Sequence, residues 1–545
     1  MASAPLSQDI ILLFCEEIAA RHDFATLFRC SLVSRRVASI ALEKLYSIQE
    51  FSRASAGDAR YRFESRRLWR SIILSSIGQT IFPYCAYVRT LSLGNLEECL
   101  QDMSGNEHIL DIFFRGEMAQ FRAPREGGEF VDSLAVMVNC ADSITKHVKE
   151  YAGETGSTFL ARLEGTSMPT DKVTTWIARL GALTSLCIRD GSILDVDVAK
   201  TISKYCPKFA DLTCYFRVDA SSTADEDLAA FFHALPPSSL RSFAIICENE
   251  IGNNTLTALN AHGTSLRRLV LTNLRPRAVR ALGLLSACTS LETLTIESER
   301  SLAEDMLSSD VGLLDAVSSW ISSCKSLRSF TLSSRGLCLV TKNILEAPDL
   351  HLTSLSIVQF DSDEGEFDAA MAALSLQNNL QDLTLGLRGF QVVNLKAGLG
   401  SSLTGSICQL KDLTSLNLMQ SFVSNDEVER IARALPKLSE FSFSGGYVND
   451  SILRPLGSLP RLKTLAIHAI SCFTWRALRG FAVRLDAEGN RGIKVDVLNQ
   501  SWERSIAEDH RSWLQNYFSE TLKGIFRLVY STEPHTDDEI TDQSD

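Results

Sequence analysis

Cysteine and histidine, the residue types that most often hold metals or act as nucleophiles, are scattered singly along this chain. The 14 Cys form no C-x-x-C pair and the nine His form no H-E-x-x-H motif, so the spacing that a zinc site requires is missing. The nucleophile elbow G-x-S-x-G is absent as well. We therefore expect no catalytic residues, no metal site and no cofactor, and we predict that the protein is not an enzyme.

The positions of the cysteines and the N-terminal sequence indicate the cellular compartment of the protein. Many cysteines stand just before an apolar repeat segment, as Cys206, Cys288 and Cys324 do, which is typical of buried thiols in a reducing environment. The N-terminus has no basic region ahead of its short apolar run at residues 10–14, so no secretory signal is predicted. No stretch approaches the roughly 20 apolar residues that span a bilayer. We expect a protein of the cytoplasm, the nucleus or both.

One segment has the basic and aromatic composition of a nucleic-acid contact. Its residues are Arg53, Arg60, Arg62, Arg66, Arg67 and Arg70, interleaved with Tyr61, Phe63 and Trp69. The whole chain is acidic, because 54 Lys and Arg stand against 66 Asp and Glu and give a net charge of −12. This charge disfavours binding to nucleic acid and to anionic membranes. We therefore predict a solvated helix face in a linker, and protein partners.

Apolar residues recur along most of the chain in the pattern L-x-x-L-x-L, with central residues about 24 to 36 positions apart. Eleven matches follow one another: 183-186-188, 209-212-214, 240-243-245, 266-269-271, 291-294-296, 327-330-332, 352-355-357, 380-383-385, 413-416-418, 438-441-443 and 462-465-467. Between them, residues 279–287, 313–321 and 428–435 have apolar residues at steps of three and four, which predicts one helix per repeat.

This alternation predicts the fold class. The chain is expected to be an α/β protein, a leucine-rich-repeat solenoid with parallel strands on its concave side and helices on its convex side, preceded by a small three-helix module. The expected divisions are a helical module at 1–50, a basic helical linker at 51–82, the solenoid at 83–500, a helical cap at 501–531 and a disordered acidic tail at 532–545. Repeats before about residue 180 are divergent, with weak matches at 88-91-93, 118-121-123 and 160-163-165.

The pleat of a strand predicts which residues form the recognition surface. Within each match the leucines point inward, so the residues that alternate with them point into the concavity. These positions are Arg189, Asp211, Thr213, Tyr215, Arg268, Thr272, Thr295, Glu297, Thr331, Ser356, Asp382, Thr384, Asn417, Met419, Glu440, Ser442, Thr464 and His468.

This face is polar and nearly uncharged on balance, and the sequence shows neither an acidic groove nor a cluster of arginines on it. We therefore expect a folded or extended protein substrate, held by hydrogen bonds and by anchors such as Tyr215 and Met419, with modest dependence on salt and on phosphorylation. The alternative is that the small Ser and Thr residues only suit a tightly curved sheet.

Residues 6–47 do not fit the repeat and predict three short helices, at residues 8–22, 24–32 and 35–47. Ser7, Asp23 and Ser34 are of the types that favour the first position of a helix. Apolar faces come from Ile10, Phe14, Ile18, Leu27, Val37, Ile40 and Leu45. A module of this size buries little core, so a partner or the solenoid is expected to complete it.

Four stretches of this module carry a resemblance to a known family. They are Pro5-Leu6-Ser-Gln-Asp-Ile-Ile11, Asp23-Phe-Ala-Thr-Leu27, Cys30-Ser-Leu-Val-Ser-Arg-Arg36 and Ala41-Leu-Glu-Lys-Leu-Tyr46. Together they resemble the F-box as it occurs in fungal proteins, although Ser7 stands where that family usually has proline and Val37 where it often has an aromatic residue.

The resemblance implies that the module binds the adaptor subunit of a cullin-based (SCF-type) ubiquitin ligase, while the C-terminal repeats hold the substrate. The adaptor-binding positions that it implies are Leu6, Ile10, Phe14, Leu27, Leu32 and Val33. Our first hypothesis is therefore a substrate receptor with an adaptor, a cullin scaffold and a protein substrate as partners. The alternatives are a leucine-rich-repeat scaffold or inhibitor that uses the same surface without a ligase, and an enzyme whose site is assembled from distant residues.

Overall fold

The structure is a computed structural model of the 545-residue chain. It describes residues 7–21, 23–47, 59–124, 131–156, 158–216, 223–299, 311–334, 337, 339–358, 364–386, 399–499 and 506–530. Two compact units can be distinguished, Met1–Val270 and Leu271–Asp545. Among the residues just given, no helix combines the length and the apolar character that a membrane span needs.

The N-terminal unit begins with the three predicted helices, α1 (Gln8–Ala20), α2 (Phe24–Ser31) and α3 (Arg35–Ser47). The predicted capping residues are confirmed. Ser7 Oγ accepts a hydrogen bond from the backbone N–H of Ile10 at 3.3 Å, and Asp23 Oδ1 accepts one from Thr26 at 3.0 Å. Ser34 Oγ accepts from the N–H of Val37, also at 3.3 Å. Each side chain satisfies a backbone donor that the first turn of a helix leaves without a partner.

The three helices enclose a small core. Its buried members are Cys15, Ala19, Leu27, Ile40 and Ala41, with Ile11, Leu12, Ile18, Cys30 and Leu45 packed around them. Further support comes from the two helices that follow, α4 (Ala59–Ser76) and α5 (Tyr84–Tyr87). The hydroxyl groups of Tyr46 and Ser71 are 2.9 Å apart, and the rings of Tyr46 and Tyr84 stack at 4.8 Å. Helices α4 and α5 therefore contact the end of α3 through Tyr46, which gives so small a module support from outside its own core.

The basic stretch along α4 has structural contacts. Trp69 is buried, and its indole N–H donates to Asn95 Oδ1 at 2.8 Å. The guanidinium of Arg70 donates to the carbonyl of Phe113 and, at 2.7 Å, to that of Arg115. The prediction of a solvated helix face is therefore wrong for these two residues, because one fills the core and the other satisfies carbonyl groups at the end of a neighbouring helix. Arg53 lies outside the described residues.

Parallel strands alternate with helices through the rest of the N-terminal unit. The strands are β1 (Thr90–Ser92), β2 (Arg162–Gly165), β3 (Ser185–Asp190), β4 (Asp211–Phe216) and β5 (Ser242–Ile245), and β6 (Arg268–Leu274) spans the division between the units. The helices are α6 (Leu93–Ser104), α7 (Glu107–Phe113), α8 (Ser133–Thr155), α9 (Thr170–Ile177), α10 (Val196–Tyr205), α11 (Ala224–Ala234) and α12 (Asn253–Leu259).

The C-terminal unit continues the same alternation. Its strands are β7 (Thr293–Ser298), β8 (Ser329–Ser333), β9 (Ser354–Val358), β10 (Asp382–Gly386), β11 (Ser415–Phe422), β12 (Glu440–Asn449), β13 (Thr464–Cys472), β14 (Lys494–Asn499) and β15 (Ile525–Tyr530). Its helices are α13 (Pro276–Arg280), α14 (Val311–Ser323), α15 (Val340–Leu345), α16 (Glu364–Leu374), α17 (Ser401–Gln409), α18 (Asn425–Ala434), α19 (Leu453–Gly457), α20 (Trp475–Ala487) and α21 (Glu508–Glu520).

Each of the eleven consecutive matches of the repeat pattern coincides with a strand, and neighbouring strands pair in parallel with their leucine positions in register. In the N-terminal unit Leu163, Leu186, Leu212 and Phe243 are successive partners. In the C-terminal unit Leu294, Phe330, Leu355, Leu383, Leu416, Phe441, Leu465, Val495 and Phe526 are successive partners. All of these side chains are buried. The fold is thus an α/β leucine-rich-repeat architecture preceded by a three-helix module, as predicted.

Two segments differ from the prediction. Residues 118–121 belong to a six-residue 3₁₀ helix, Gly116–Phe121, in which Met118 and Phe121 are buried three residues apart, so this weak match is not a strand. The segment predicted as a helical cap contains α21 but ends in strand β15, where buried Phe526 and Leu528 alternate with exposed residues. The alternation in β15 has a period of two residues and does not show the full L-x-x-L-x-L spacing. The predicted acidic tail lies outside the described residues.

Buried carboxylates connect successive helices of the repeats. Asp225, at the start of α11, accepts hydrogen bonds from the backbone N–H groups of Gly252 at 2.6 Å, Asn254 at 3.1 Å and Thr255 at 3.0 Å. In the C-terminal unit, Glu427 of α18 accepts one from the N–H of Gly400 at 3.0 Å. Each carboxylate lies at the N-terminus of a neighbouring helix, where the helix dipole also favours a negative charge.

We predict that Asp225→Ala destabilises the N-terminal unit by about 2–4 kcal/mol, because three backbone N–H groups, two of them in buried hydrogen bonds, lose a charged acceptor. Urea unfolding followed by circular dichroism measures this change. Glu226→Ala is the matched control, since Glu226 is exposed on the same helix and should change stability by less than about 0.5 kcal/mol. Equal effects of the two substitutions would contradict the bridging role of Asp225.

Candidate protein-interaction surfaces

Helix α1 has apolar side chains on two opposite sides. One side packs on the core through Cys15 and Ala19. The other exposes Ile10, Leu13 and Phe14, which follow the spacing of three and four residues that places side chains on one helix face. The side chain of Phe14 is 66% exposed. A helix that is apolar on both sides is typical of one that is covered on both sides, so this face needs a partner.

Helix α2 and the turn after it extend the exposed apolar surface. Phe24 and Phe28 lie one turn apart on its outer side. Leu32 and Val33, in the turn before α3, are 71% and 73% exposed. The backbone there is fixed, because the N–H groups of Leu32 and Val33 donate to the carbonyls of Arg29 and Cys30, each at 3.1 Å. We call the following set the module face: Ile10, Leu13, Phe14, Phe24, Phe28, Leu32 and Val33.

The module face differs in part from the adaptor positions that the resemblance implied. Leu6 lies outside the described residues. Leu27 is fully buried in the module's own core, at 0% exposure, so its assignment to the partner surface is corrected. Adjacent helical residues point about 100° apart, so the inward Leu27 and the outward Phe28 cannot share a side. Leu13, Phe24 and Phe28 are exposed but were not predicted. Leu13 lies three residues after Ile10, which is the spacing of one helix face, so the sequence contained a signal for it.

The strands supply a second surface, which we call the strand face: the side chains that alternate with the buried leucines. Most of the predicted positions reach solvent there. Arg189, Tyr215, Arg268, Asp382 and Glu440 are exposed, and Asp211, Glu297, Asn417, Met419 and His468 are half-buried, as are Thr213, Thr295, Thr331, Ser356, Thr384, Ser442 and Thr464. The predicted exposure of Thr272 is wrong. This side chain is buried because β6 is covered on both sides from Leu269 to Thr272, where four successive side chains are buried.

Strand register brings two predicted acidic residues near each other in the C-terminal unit. Asp382 on β10 and Glu440 on β12 are both paired with Ser415 of β11, which lies between them. Burial raises the pKa of the Asp382 carboxyl, and the negative charge of Glu440 raises it further. The hydroxyl of Ser415 donates to Glu440 Oε2 at 3.5 Å. Thr384, Asn417 and Ser442 form a second row across the same strands.

The same unit exposes aromatic residues that the repeat pattern does not contain. Strands β11 and β12 continue beyond the pattern after shifts of register, and they end near Phe422 and Tyr447. Phe422 is 39% exposed and Tyr447 is 61% exposed. Exposed aromatic side chains on an ordered strand are typical anchors in protein interfaces. Neither residue was predicted from the sequence, because both lie outside the L-x-x-L-x-L positions.

In the N-terminal unit a group of arginines lies on the strand face and directly beside it. Burial raises the pKa of the Asp211 carboxyl, and the positive charges of Arg241, Arg162 and Arg268 oppose that rise. All three guanidinium groups therefore lie close enough to Asp211 to act on it. The prediction that no arginine cluster is present is wrong for this unit. Arg162 belongs to a divergent repeat and Arg241 precedes the alternating positions, so neither was counted.

The described residues contain no group of three or more His, Cys, Asp or Glu side chains that could hold a metal ion. The predicted buried thiols are confirmed for Cys206, Cys288 and Cys324, and burial raises the pKa of each to about 12. A thiol with so high a pKa remains protonated at neutral pH and is a poor nucleophile. The two surfaces, rather than these groups, are the candidate functional site.

Comparison with known proteins finds similarity among solved structures. No family model matches the chain, and no curated protein matches it. Among solved structures, the chain is similar to the crystal structure of the Rad7 and Elc1 complex in yeast, with 16% sequence identity and a TM-score of 0.37 over 75% of this chain and 90% of that one. A likeness at that TM-score supports no conclusion about function.

We predict opposite outcomes for two neighbouring apolar residues of α2. Leu27→Ala should destabilise the module by about 2–4 kcal/mol, because it leaves a cavity in the core. Phe28→Ala should change the stability by less than about 0.5 kcal/mol, because the ring is 54% exposed. Hydrogen exchange of the α1–α3 amides measures both. Equal acceleration of exchange in the two variants would show that the burial assignment is wrong.

Proposed function

We propose that this chain is the substrate-recognition subunit of a cullin-based (SCF-type) ubiquitin ligase. The module face binds the ligase adaptor, and the strand face binds a protein substrate. The observation that carries the proposal is the module face itself, an apolar surface on helices that already have a core on their other side. The resemblance of residues 5–46 to the F-box supports the identity of the partner that covers it.

The geometry of the module face suits a stable protein contact. Its residues lie on two helices that contact each other and on the turn that follows them, so they present a fixed surface. Leu32 and Val33 are held at the end of α2 by backbone hydrogen bonds, and the next helix begins at once with the Ser34 cap. A surface that is ordered before binding loses little conformational entropy on association. Large apolar side chains on it then contribute directly to affinity.

The strand face suits substrate recognition because its residues can vary without disturbing the core. The buried leucine positions hold the strands together, whereas the alternating residues include hydroxyl, amide, carboxylate and guanidinium groups together with Tyr215 and Met419. Mixed polar surfaces with aromatic anchors are characteristic of protein interfaces. The face performs no chemistry in this proposal, since ubiquitin transfer belongs to other subunits of the ligase.

We predict that Leu32→Asp abolishes adaptor and cullin capture by the tagged full-length chain, because the contact would bury an unpaired charge. Mass spectrometry of an affinity pull-down measures the loss, and deletion of residues 1–50 should reproduce it. Leu376→Asp is the matched control, since Leu376 is 58% exposed in the C-terminal unit. Adaptor capture that is unchanged by Leu32→Asp would contradict the proposal and favour a scaffold without a ligase.

A second prediction concerns the substrate surface. Tyr215→Ala combined with Arg268→Ala should reduce the capture of proteins other than the adaptor and cullin by roughly tenfold, because both residues lie on the strand face. The matched pair Tyr205→Ala and Arg476→Ala changes exposed residues of the same types on helices α10 and α20. Quantitative mass spectrometry compares the two pairs. Loss of capture with the helix pair alone would show that the substrate site is assigned to the wrong side of the repeats.

A further inference from the structure

The residues that begin the strands of the N-terminal unit form a continuous edge. Two residues lead into each strand. The backbone carbonyl of the first of them accepts hydrogen bonds from the backbone N–H groups of both residues that lead into the next strand. Thus the Arg89 carbonyl accepts from Ala161 and Arg162, and the Arg241 carbonyl accepts from Arg267 and Arg268. We call the following residues the strand-entry edge: 89–90, 161–162, 184–185, 210–211, 241–242 and 267–268.

This edge is basic. Its twelve residues, all of them described by the structure, include Arg89, Arg162, Arg241, Arg267 and Arg268, and Asp211 is its acidic residue. Arg162 also pairs with Glu164, two residues further along β2, at 2.7 Å. Arg241 and Arg268 are exposed, and neither forms an ion pair within the described part of the chain. The edge therefore presents more positive charge than its own carboxylates can compensate.

The repeat fold does not require this charge. In the C-terminal unit, the same hydrogen-bond ladder joins the residues that enter β7 to β13, from the Glu292 carbonyl onward. The charged residues at those positions are Glu292, Arg328, Asp382, Glu440 and Lys463, two basic and three acidic. Arg328 there donates to the carbonyl of His351 at 3.0 Å, so it has a structural contact. An identical backbone thus accommodates either sign of charge, so the ladder does not require Arg241 and Arg268 to be basic.

The spacing of the arginines indicates the shape of that ligand. Arg162 and Asp211 stand in register on β2 and β4, with Ser185 of β3 between them, and Ser242 of β5 follows. Arg268 Nη1 donates to Ser242 Oγ at 3.4 Å. Neighbouring strands are about 4.8 Å apart, so the four steps from β2 to β6 span roughly 19 Å. An extended peptide rises about 3.3 Å per residue and covers this distance with about six residues.

We propose that the strand-entry edge of the N-terminal unit binds an extended, acidic segment of a partner protein, about six residues long, through Arg162, Arg241 and Arg268. The inference rests on the proposed function, because it assigns this segment to the substrate. It also changes the expected behaviour of the site, since binding to exposed arginines weakens strongly as salt rises.

Aspartate and glutamate fit this edge better than other anions do. Asp211 lies among the arginines, and a doubly charged phosphate beside its carboxylate experiences stronger repulsion than a singly charged carboxylate does. Nucleic acid is disfavoured by the net charge of −12 on the whole chain. Carboxylates that are distributed along an extended peptide also match guanidinium groups that are distributed over several strands.

The test uses the full-length chain and a fluorescein-labelled hexaglutamate peptide, with binding followed by fluorescence anisotropy. We expect binding at about 0.05 M salt that is largely lost at about 0.5 M salt. Arg241→Gln combined with Arg268→Gln should raise the Kd roughly tenfold, because two exposed charge pairs are lost. Asp211→Asn should lower the Kd by about twofold to fivefold, because it removes the opposing charge. Lys463→Gln removes one positive charge at the matching position of β13 and should leave the Kd unchanged.

Three results would overturn the inference: equal binding of hexalysine, an unchanged Kd in the double arginine variant, or binding of a phosphoserine peptide without binding of hexaglutamate. Adaptor capture by the same variants separates this inference from the proposed function. If the adaptor is captured and hexaglutamate does not bind, the acidic-segment inference alone fails. If hexaglutamate binds and the adaptor is never captured, the ligase proposal alone fails.

Discussion

The structure depends on one constraint, the register of buried apolar side chains between parallel strands. Each leucine position lies beside the same position of the neighbouring repeat, as Leu383 lies beside Leu355 and Leu416. A slip of one residue would turn every one of these side chains toward solvent. Because the register fixes which residues face inward, it also fixes which side chains are exposed, and the strand face and the strand-entry edge both follow from it.

The elements that could be predicted from the sequence are those whose pattern is complete within one short segment. The strands at residues 185–190 and 464–472 were predictable because the pattern L-x-x-L-x-L indicates where each strand lies and which of its side chains are buried. Strand β15 was missed because Ile525–Tyr530 has only a two-residue period and no repeat signature. Met118 and Phe121 match two of the template's apolar positions yet lie on a 3₁₀ turn, since two apolar residues three apart also suit a helix.

The surfaces were predictable only in part, because exposure depends on neighbours that are distant in sequence. Leu27 and Phe28 are adjacent apolar residues on one short helix, and only the packing of α1 and α3 decides that the first is buried and the second is exposed. The arginine group shows the same principle. Arg162 and Arg268 are over a hundred residues apart in the chain, and the strand register places both close enough to act on Asp211.

The module face also affects the colloidal behaviour of the free chain. Several large apolar side chains project from its first two helices, and contiguous exposed apolar surface promotes association between copies. The net charge of −12 opposes that association through repulsion between chains. Salt screens the repulsion but leaves the attraction between apolar surfaces in place. The solubility of the unpartnered protein therefore depends on ionic strength, and covering the module face removes that dependence by removing the attraction.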